Sequence, residues 1–186
     1  MIYITGDCHG NFERFNPSIF PEQNEMTKED YVIICGDFGG VWNREAESKE
    51  ETMILDWLDS RPFTTLFVCG NHENFDRLYQ YPIENWHGGK VHKIRESVIH
   101  LMRGQVFKIA EKKIFSFGGA SSHDIQGGVL EPDDPEFEKK YDTLSKGYLP
   151  FRINHWSWWK QELPSKEEME EGRQNLEKHD NKVDFI

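Results

Sequence analysis

The sequence predicts an α/β fold: two mixed sheets packed on one another and flanked by helices, a four-layer α/β/β/α sandwich. Two patterns predict it. Up to about residue 70, three short apolar runs alternate with helical segments, β-α-β-α-β, and such units favour parallel strands with right-handed crossovers. After about residue 97 the pattern changes to short apolar-rich runs joined by tight polar turns, the mark of antiparallel strands. At 186 residues the chain falls within the roughly 100–200 residues of one domain. It shows no internal repeat and no low-complexity linker, so a single domain over 1–186 is expected.

The elements follow in order. Ile2–Thr5 is the first strand, and a helix opens over Asn11–Phe15 with Phe12 and Phe15 three residues apart. Tyr31–Cys35 is the second strand. Ser48-Lys49-Glu50-Glu51 forms a capping box, a serine N-cap with glutamate at the third helical position. Its helix is expected to bury Met53, Ile54, Trp57 and Leu58 on one face, with Pro62 just past its end. Thr65–Cys69 is the third strand, and a short helix after Asn74 should turn Phe75, Leu78 and Tyr79 inward. The runs Ser97–Arg103, Gln105–Ala110 and Lys113–Gly118 are the expected antiparallel strands.

Residues 121–163 are the irregular part, with one helical turn at Glu136–Tyr141 and an aromatic cluster from Trp156 to Trp159. A loop this long inside a compact domain is more often functional than accidental. Ser165-Lys166-Glu167-Glu168 is a second capping box, opening a charged helix to about Lys178 anchored by Met169 and Leu176. Lys182–Ile186 reads as the start of a further strand.

Composition narrows the classes of function. Lys and Arg number 22 against 33 Asp and Glu, a net charge of -11. Affinity for a nucleic-acid backbone comes from clustered Lys and Arg, so the balance argues against a nucleic-acid partner. A small phosphorylated substrate remains compatible, because bound divalent cations invert the local field. Mean hydropathy is -0.74, and no apolar run approaches the roughly 20 residues of a membrane span, so no membrane partner is expected. Met1-Ile2-Tyr3 enters the first strand directly, leaving no room for a signal peptide; the expected location is cytoplasmic. Cys8, Cys35 and Cys69 are odd in number, lack Cys-x-x-Cys spacing, and read as buried small residues in a reducing compartment.

Each of the first three strands runs into a polar motif: Gly6-Asp7-Cys8-His9-Gly10, Gly36-Asp37-Phe38-Gly39-Gly40 and Gly70-Asn71-His72-Glu73. Open α/β sheets hold their ligands at such strand ends. One Gly-Asp is an ordinary turn, but three ordered motifs with Asp-x-His in the first and Asn-His-Glu in the last are a specific signal. They resemble the metallophosphoesterase (calcineurin-like phosphoesterase) superfamily, signature GDxHG…GDxxG…GNH[DE], over roughly residues 1–120. The later Gly-Gly-Ala-Ser-Ser-His-Asp and Ser-Trp-Trp…Glu-Leu-Pro-Ser stretches resemble a bacterial or phage-type subgroup.

The resemblance implies a metallophosphoesterase-like domain that hydrolyses a phosphomonoester or phosphodiester with a hydroxide bridging two divalent metal ions. Asp37 matches the bridging aspartate, Asp7 and His9 match ligands of the first metal, and Asn71 matches an amide-oxygen ligand of the second. His72 matches the histidine that protonates the leaving oxygen or stabilises the transition state, and is not a ligand. Oxygen and nitrogen donors without thiolate suit manganese, iron or zinc, and magnesium less well. Gly40 and Val41 stand where Ser/Thr protein phosphatases carry an Asp and an Arg, which disfavours that class.

In the family, a strand like Lys182–Ile186 ends at a metal-binding His, and Gly-His-x-His follows. Their absence here leads to the expectation of a truncated or partly observed form of a longer protein. The alternative is a natural short form with an incomplete metal site, a binding or regulatory relative.

Other residues carry two readings each. Glu73 is solvent-facing or orients His72. His123 and Asp124 lie on a surface loop or at the site edge. The Trp156–Trp159 cluster is packing or a stacking platform, and Arg77 makes a surface salt bridge or touches phosphate. His87-Gly88-Gly89 reads as a turn. His92, His100, His155 and His179 carry no ligand spacing.

Overall fold

The computed structural model describes residues 1–186. Its centre is a six-stranded mixed sheet. In chain order the strands are β1 (Ile2–Thr5), β2 (Tyr31–Cys35), β3 (Thr64–Val68), β4 (Ile83–Trp86), β5 (Gly89–Arg95) and β6 (Val98–Leu101). They lie side by side as β1-β2-β3-β6-β5-β4. The first three are parallel, with Ile4 opposite Ile33 and Ile33 opposite Leu66. Successive side chains of a strand point to opposite faces, and β2 uses both. Val32 and Ile34 join a core of Phe12, Phe15, Phe38 and Phe67 on the helix side. Tyr31 and Ile33 join a second core with Leu66, Phe107 and Ile114.

The run at Ser97–Arg103 behaves differently from the antiparallel reading. β6 lies parallel to β3, with Phe67 opposite His100, and antiparallel only to β5. The hairpin that reverses the chain, β4–β5, was not read from the sequence. Its first strand is mostly exposed and its second carries Lys90, Lys93 and Arg95, so neither shows a clean apolar alternation. His87 and Gly88 join the two strands with φ of 48° and 96°, the paired left-handed conformation of a two-residue hairpin turn.

The second sheet is a hairpin of β7 (Gln105–Ile109) and β8 (Lys112–Ser116), with Phe107 opposite Ile114. Phe185 extends it by a single parallel bridge to Ile114, where a fuller strand was expected. A small parallel pair, β9 (Val129–Leu130) and β10 (Arg152–Ile153), organises the irregular segment.

Helix α1 (Lys49–Asp59) begins at the capping box: Glu51 N–H donates to Ser48 Oγ at 3.2 Å and Ser48 N–H to Glu51 Oε2 at 3.1 Å. Its buried face is Glu51, Leu55 and Leu58, whereas Met53 is 72% exposed. The face is rotated because Glu51 is drawn inward by Arg77, whose Nη1 donates to Oε2 at 3.1 Å. Leu55 and Leu58 follow it into the core, each contributing roughly 1.5–3 kcal/mol by burial. The helix at Asn11–Phe15 is one 3₁₀ turn, Glu13–Phe15, with Phe12 and Phe15 both buried.

Three helices remain. α2 (Phe75–Leu78) buries Phe75 and Leu78 but leaves Tyr79 exposed. α3 (Phe137–Lys146) is longer than the single turn expected. α4 (Lys166–Glu177) packs through Gly172, against which Gly104 comes close, and Met169 stays exposed. No helix is long and apolar enough to cross a membrane.

Candidate metal centre

The carboxyl ends of β1, β2 and β3 bring their three loops into contact. Cys8 and His9 N–H groups both donate to the Asp37 carbonyl, at 3.1 and 2.8 Å, and Gly10 N–H donates to Phe38 O at 2.9 Å. This close stacking holds two non-glycine residues left-handed, His9 at φ 48° and Asp37 at φ 44°. Such conformations cost of order 1–3 kcal/mol each and cluster at functional sites. Two glycines make the approach sterically feasible. A Cβ on Gly39 would stand 2.7 Å from Gly10 N, and one on Gly70 would stand 2.0 Å from Asp37 Oδ1.

The side chains converge on Asp37. Its Oδ1 accepts the His72 N–H at 2.9 Å, and its Oδ2 lies 3.6 Å from His9 Nε2. His9 Nε2 lies 2.8 Å from Asp7 Oδ2. One donor atom each of His9, Asp37 and His72 lie within 4.8 Å of one another, and the two imidazoles meet edge to face at 5.0 Å. Asn71 is oriented from the irregular segment. Its Nδ2 donates to Ser122 Oγ at 3.2 Å, and Ser122 Oγ donates to the buried Glu162 Oε2 at 2.6 Å. With Nδ2 spent on Ser122, the amide oxygen is the atom left to ligate.

The donor chemistry fits a divalent cation: carboxylate, imidazole and amide oxygen without sulfur. Burial pushes the Cys8 thiol up to about 11 and the Cys69 thiol up to about 12, and no cysteine is among the clustered donors. Cys35 is exposed, where a buried residue was expected. A groove of about 540 Å³ opens beside the loops, with Asp7, Asp37 and Asn71 among its polar lining and Ile4, Ile33 and Phe117 among its apolar residues.

Glu73 follows neither of its two readings. It is 1% exposed and accepts the Phe38 N–H at 2.7 Å and the Gly39 N–H at 3.3 Å. It therefore braces the turn that carries Asp37. Burial pushes its carboxyl up to about 8, against the pull of those N–H donors.

His72 sits between two residues the sequence reading passed over. The Trp42 ring lies nearly parallel to its imidazole, centroids 6.3 Å apart. Arg152 Nη2 is 3.3 Å from His72 Nε2 and also grips Asp124. Burial, then the Arg152 guanidinium, holds the His72 imidazole below the usual histidine range. Asp124 is thus at the site edge, while His123 is exposed.

Arg77 is buried, bound to Glu51 and to the Asn43 carbonyl, and takes no part in the centre. Trp159 is fully buried and donates from Nε1 to Asp76 at 2.7 Å, which makes it packing. His155 pairs with the same Asp76 oxygen at 2.7 Å.

A family model described as calcineurin-like phosphoesterase matches residues 1–186. Among curated proteins, the chain is similar to lariat debranching enzyme A of Xenopus laevis, 27% identical over 161 residues, 79% of this chain and 28% of that protein. It is similar to the lariat debranching enzyme of Danio rerio, 25% identical over 150 residues, 73% of this chain and 25% of that protein. The counterpart from Drosophila pseudoobscura pseudoobscura is 31% identical over 98 residues, 46% of this chain and 18% of that protein. The chain thus spans no more than 28% of the length of these relatives. No solved structure gives a significant match.

Proposed function

Because the chain belongs to the calcineurin-like phosphoesterase family, we propose that it is a metal-dependent phosphoesterase acting on a small phosphomonoester or phosphodiester. The observation that carries this reading is the convergence of His9, Asp37 and His72 donors within 4.8 Å at the ends of three parallel strands. Asp7, His9, Asp37 and Asn71 would hold two divalent ions, manganese, iron or zinc. When bound, the ions supply charge neutralisation at the phosphate and a nucleophile at neutral pH.

The rest falls to this chain's own groups. Glu73 and the His72 backbone hold the Asp37 carboxylate in position. Ser122 and Glu162 turn the Asn71 amide. His72 protonates the departing oxygen or stabilises the transition state there, and the Trp42 ring lies over that imidazole. The names of the relatives support cleavage of a phosphate ester, and the net charge of -11 supports a small substrate over an extended nucleic acid.

The test is hydrolysis of para-nitrophenyl phosphate and its bis-ester by manganese-loaded protein. Metal-stimulated turnover of at least one, lost in Asp37→Ala, is the expected result; no turnover of either contradicts it. Only two of the three clustered donors, His9 and Asp37, are proposed ligands, few for two ions, and this favours a second reading as a binding protein with an incomplete metal site. Metal-dependent phosphate binding without turnover would select it.

A further inference from the structure

Arg152 is half-buried and differs from Arg77 and Arg103, the buried arginines of this fold. Arg77 and Arg103 each donate to backbone carbonyls and to a glutamate, and so tie segments together. The Arg152 side chain donates to no carbonyl. Its Nε reaches Asp124 Oδ1 at 3.0 Å, its Nη2 reaches Asp124 Oδ2, and the same Nη2 lies 3.3 Å from His72 Nε2. Nη1 makes no hydrogen bond within the protein, so two of its five N–H donors are unspent.

We propose that Arg152 binds the phosphate of the substrate, taking two unbridged oxygens in the fork that Asp124 fills in the free protein. The inference rests on the phosphoesterase reading and names the group that recognises the substrate's charge. A carboxylate presents a guanidinium with the same two-oxygen edge as a phosphate, so Asp124 occupies the position of the anion. Asp124 is also the more open partner, with its side chain 38% exposed against 16% for Arg152. The open side of Asp124 leaves the fork accessible, and a phosphate can take the carboxylate's place on the same donors.

Charge supplies the reason for a cation here. Asp7, Asp37 and Asp124 all lie at this end of the sheet, and a phosphate entering beside His72 needs a cation to offset their charge. Gly40 and Val41 bring none from the second motif. Arg152 comes from β10, at the far side of the irregular segment, which gives that segment a function: it carries Arg152, Asp124 and Ser122 to the three loops.

The test is calorimetric titration of inorganic phosphate into manganese-loaded wild type, Arg152→Ala, Arg152→Lys and Asp124→Asn, with manganese affinity and melting temperature measured for each. Arg152→Ala is expected to bind phosphate about 10–100-fold more weakly, the size of a lost charge-assisted contact, while keeping its manganese affinity. Arg152→Lys should recover only part, because an ammonium cannot span two oxygens. Asp124→Asn removes the competing carboxylate and should bind phosphate more tightly than wild type.

Equal phosphate affinity in wild type and Arg152→Ala overturns the inference. So does an equal loss in Arg152→Ala and Asp124→Asn, the result for a pair that only ties the segment down. Should Arg152→Ala not fold, the opposite effects expected of Arg152→Lys and Asp124→Asn decide the matter. Wild type that takes up neither manganese nor phosphate overturns the phosphoesterase reading itself, whereas wild-type binding matched by Arg152→Ala overturns this inference alone.

Discussion

Asp37 and His72 form one unit: the Asp37 Oδ1 accepts the His72 backbone N–H at 2.9 Å, while Oδ2 of the same carboxylate lies 3.6 Å from His9 Nε2. A single side chain thereby links all three strand-end loops. Asp37→Asn keeps an acceptor for the N–H but removes the charge and one ligating oxygen. It should fold normally and bind manganese at least 10–100-fold more weakly, since even outer-shell losses cost about that much. Titration calorimetry checks it, and wild-type affinity would contradict the assignment of Asp37.

Gly70 and Gly6 each precede a proposed ligand, yet they should respond differently to alanine. A Cβ at Gly70 would stand 2.0 Å from Asp37 Oδ1 and 2.6 Å from Asp37 N, whereas one at Gly6 meets nothing within 4 Å. Gly70→Ala should lose about 1–3 kcal/mol of stability through overpacking and weaken metal binding with it. Gly6→Ala should stay within about 0.5 kcal/mol of wild type. Urea unfolding of the two variants makes the comparison.

His72→Ala separates proton donation from metal binding. As a general acid His72 contributes roughly 10²–10⁴-fold, so the variant should lose that much in kcat on alkyl phosphate esters. It should lose less on para-nitrophenyl esters, whose leaving group needs little protonation. Metal content should remain near normal. Emptied metal sites, or equal losses on both leaving groups, would make His72 a ligand or a phosphate clamp instead.

His92 and His100 are a buried pair on β5 and β6, their Nδ1 atoms 3.0 Å apart and their rings stacked. Burial lowers both below the usual 6.5, His100 well below, where the charges of His92 and Arg103 add to the effect. Phe67 and Tyr79 cover the rings. The unfolded chain binds more protons there, so this contribution to stability is complete above 6.5 and falls as pH drops below it. Glu73, raised to about 8, works in the opposite sense between its unfolded and folded values. The difference between wild type and His100→Phe isolates the His100 contribution. Between pH 6.5 and 5, the wild type should lose up to about 1.4 kcal/mol per pH unit more than the variant. Parallel pH profiles would contradict this.

The three parallel strands were legible because β1 to β3 are short apolar runs that end in Gly-Asp or Gly-Asn. Both faces of β2 are buried, so its sequence is apolar throughout. The β4–β5 hairpin was hidden because the edge strand β4 is mostly exposed and carries Glu84, and because Lys90 and Lys93 interrupt the apolar pattern of β5. The buried face of α1 was misread because a glutamate faces the core there, paired with an arginine 26 residues away. At the site, Asp7, His9, Asp37, Asn71 and His72 were legible as strand-end motifs. Arg152 was not: it lies 28 residues from Asp124 and 80 from His72, in an irregular segment with no periodicity to mark it. Only the fold brings those groups together.

The most direct test of the account is anomalous diffraction from crystals of the protein soaked in manganese. A strong peak about 2.0–2.2 Å from an Asp37 oxygen, with His9 as a second ligand and no sulfur in contact, is the predicted result. Ions bound only elsewhere on the surface, with Asp37 and His9 free of any peak, would contradict it.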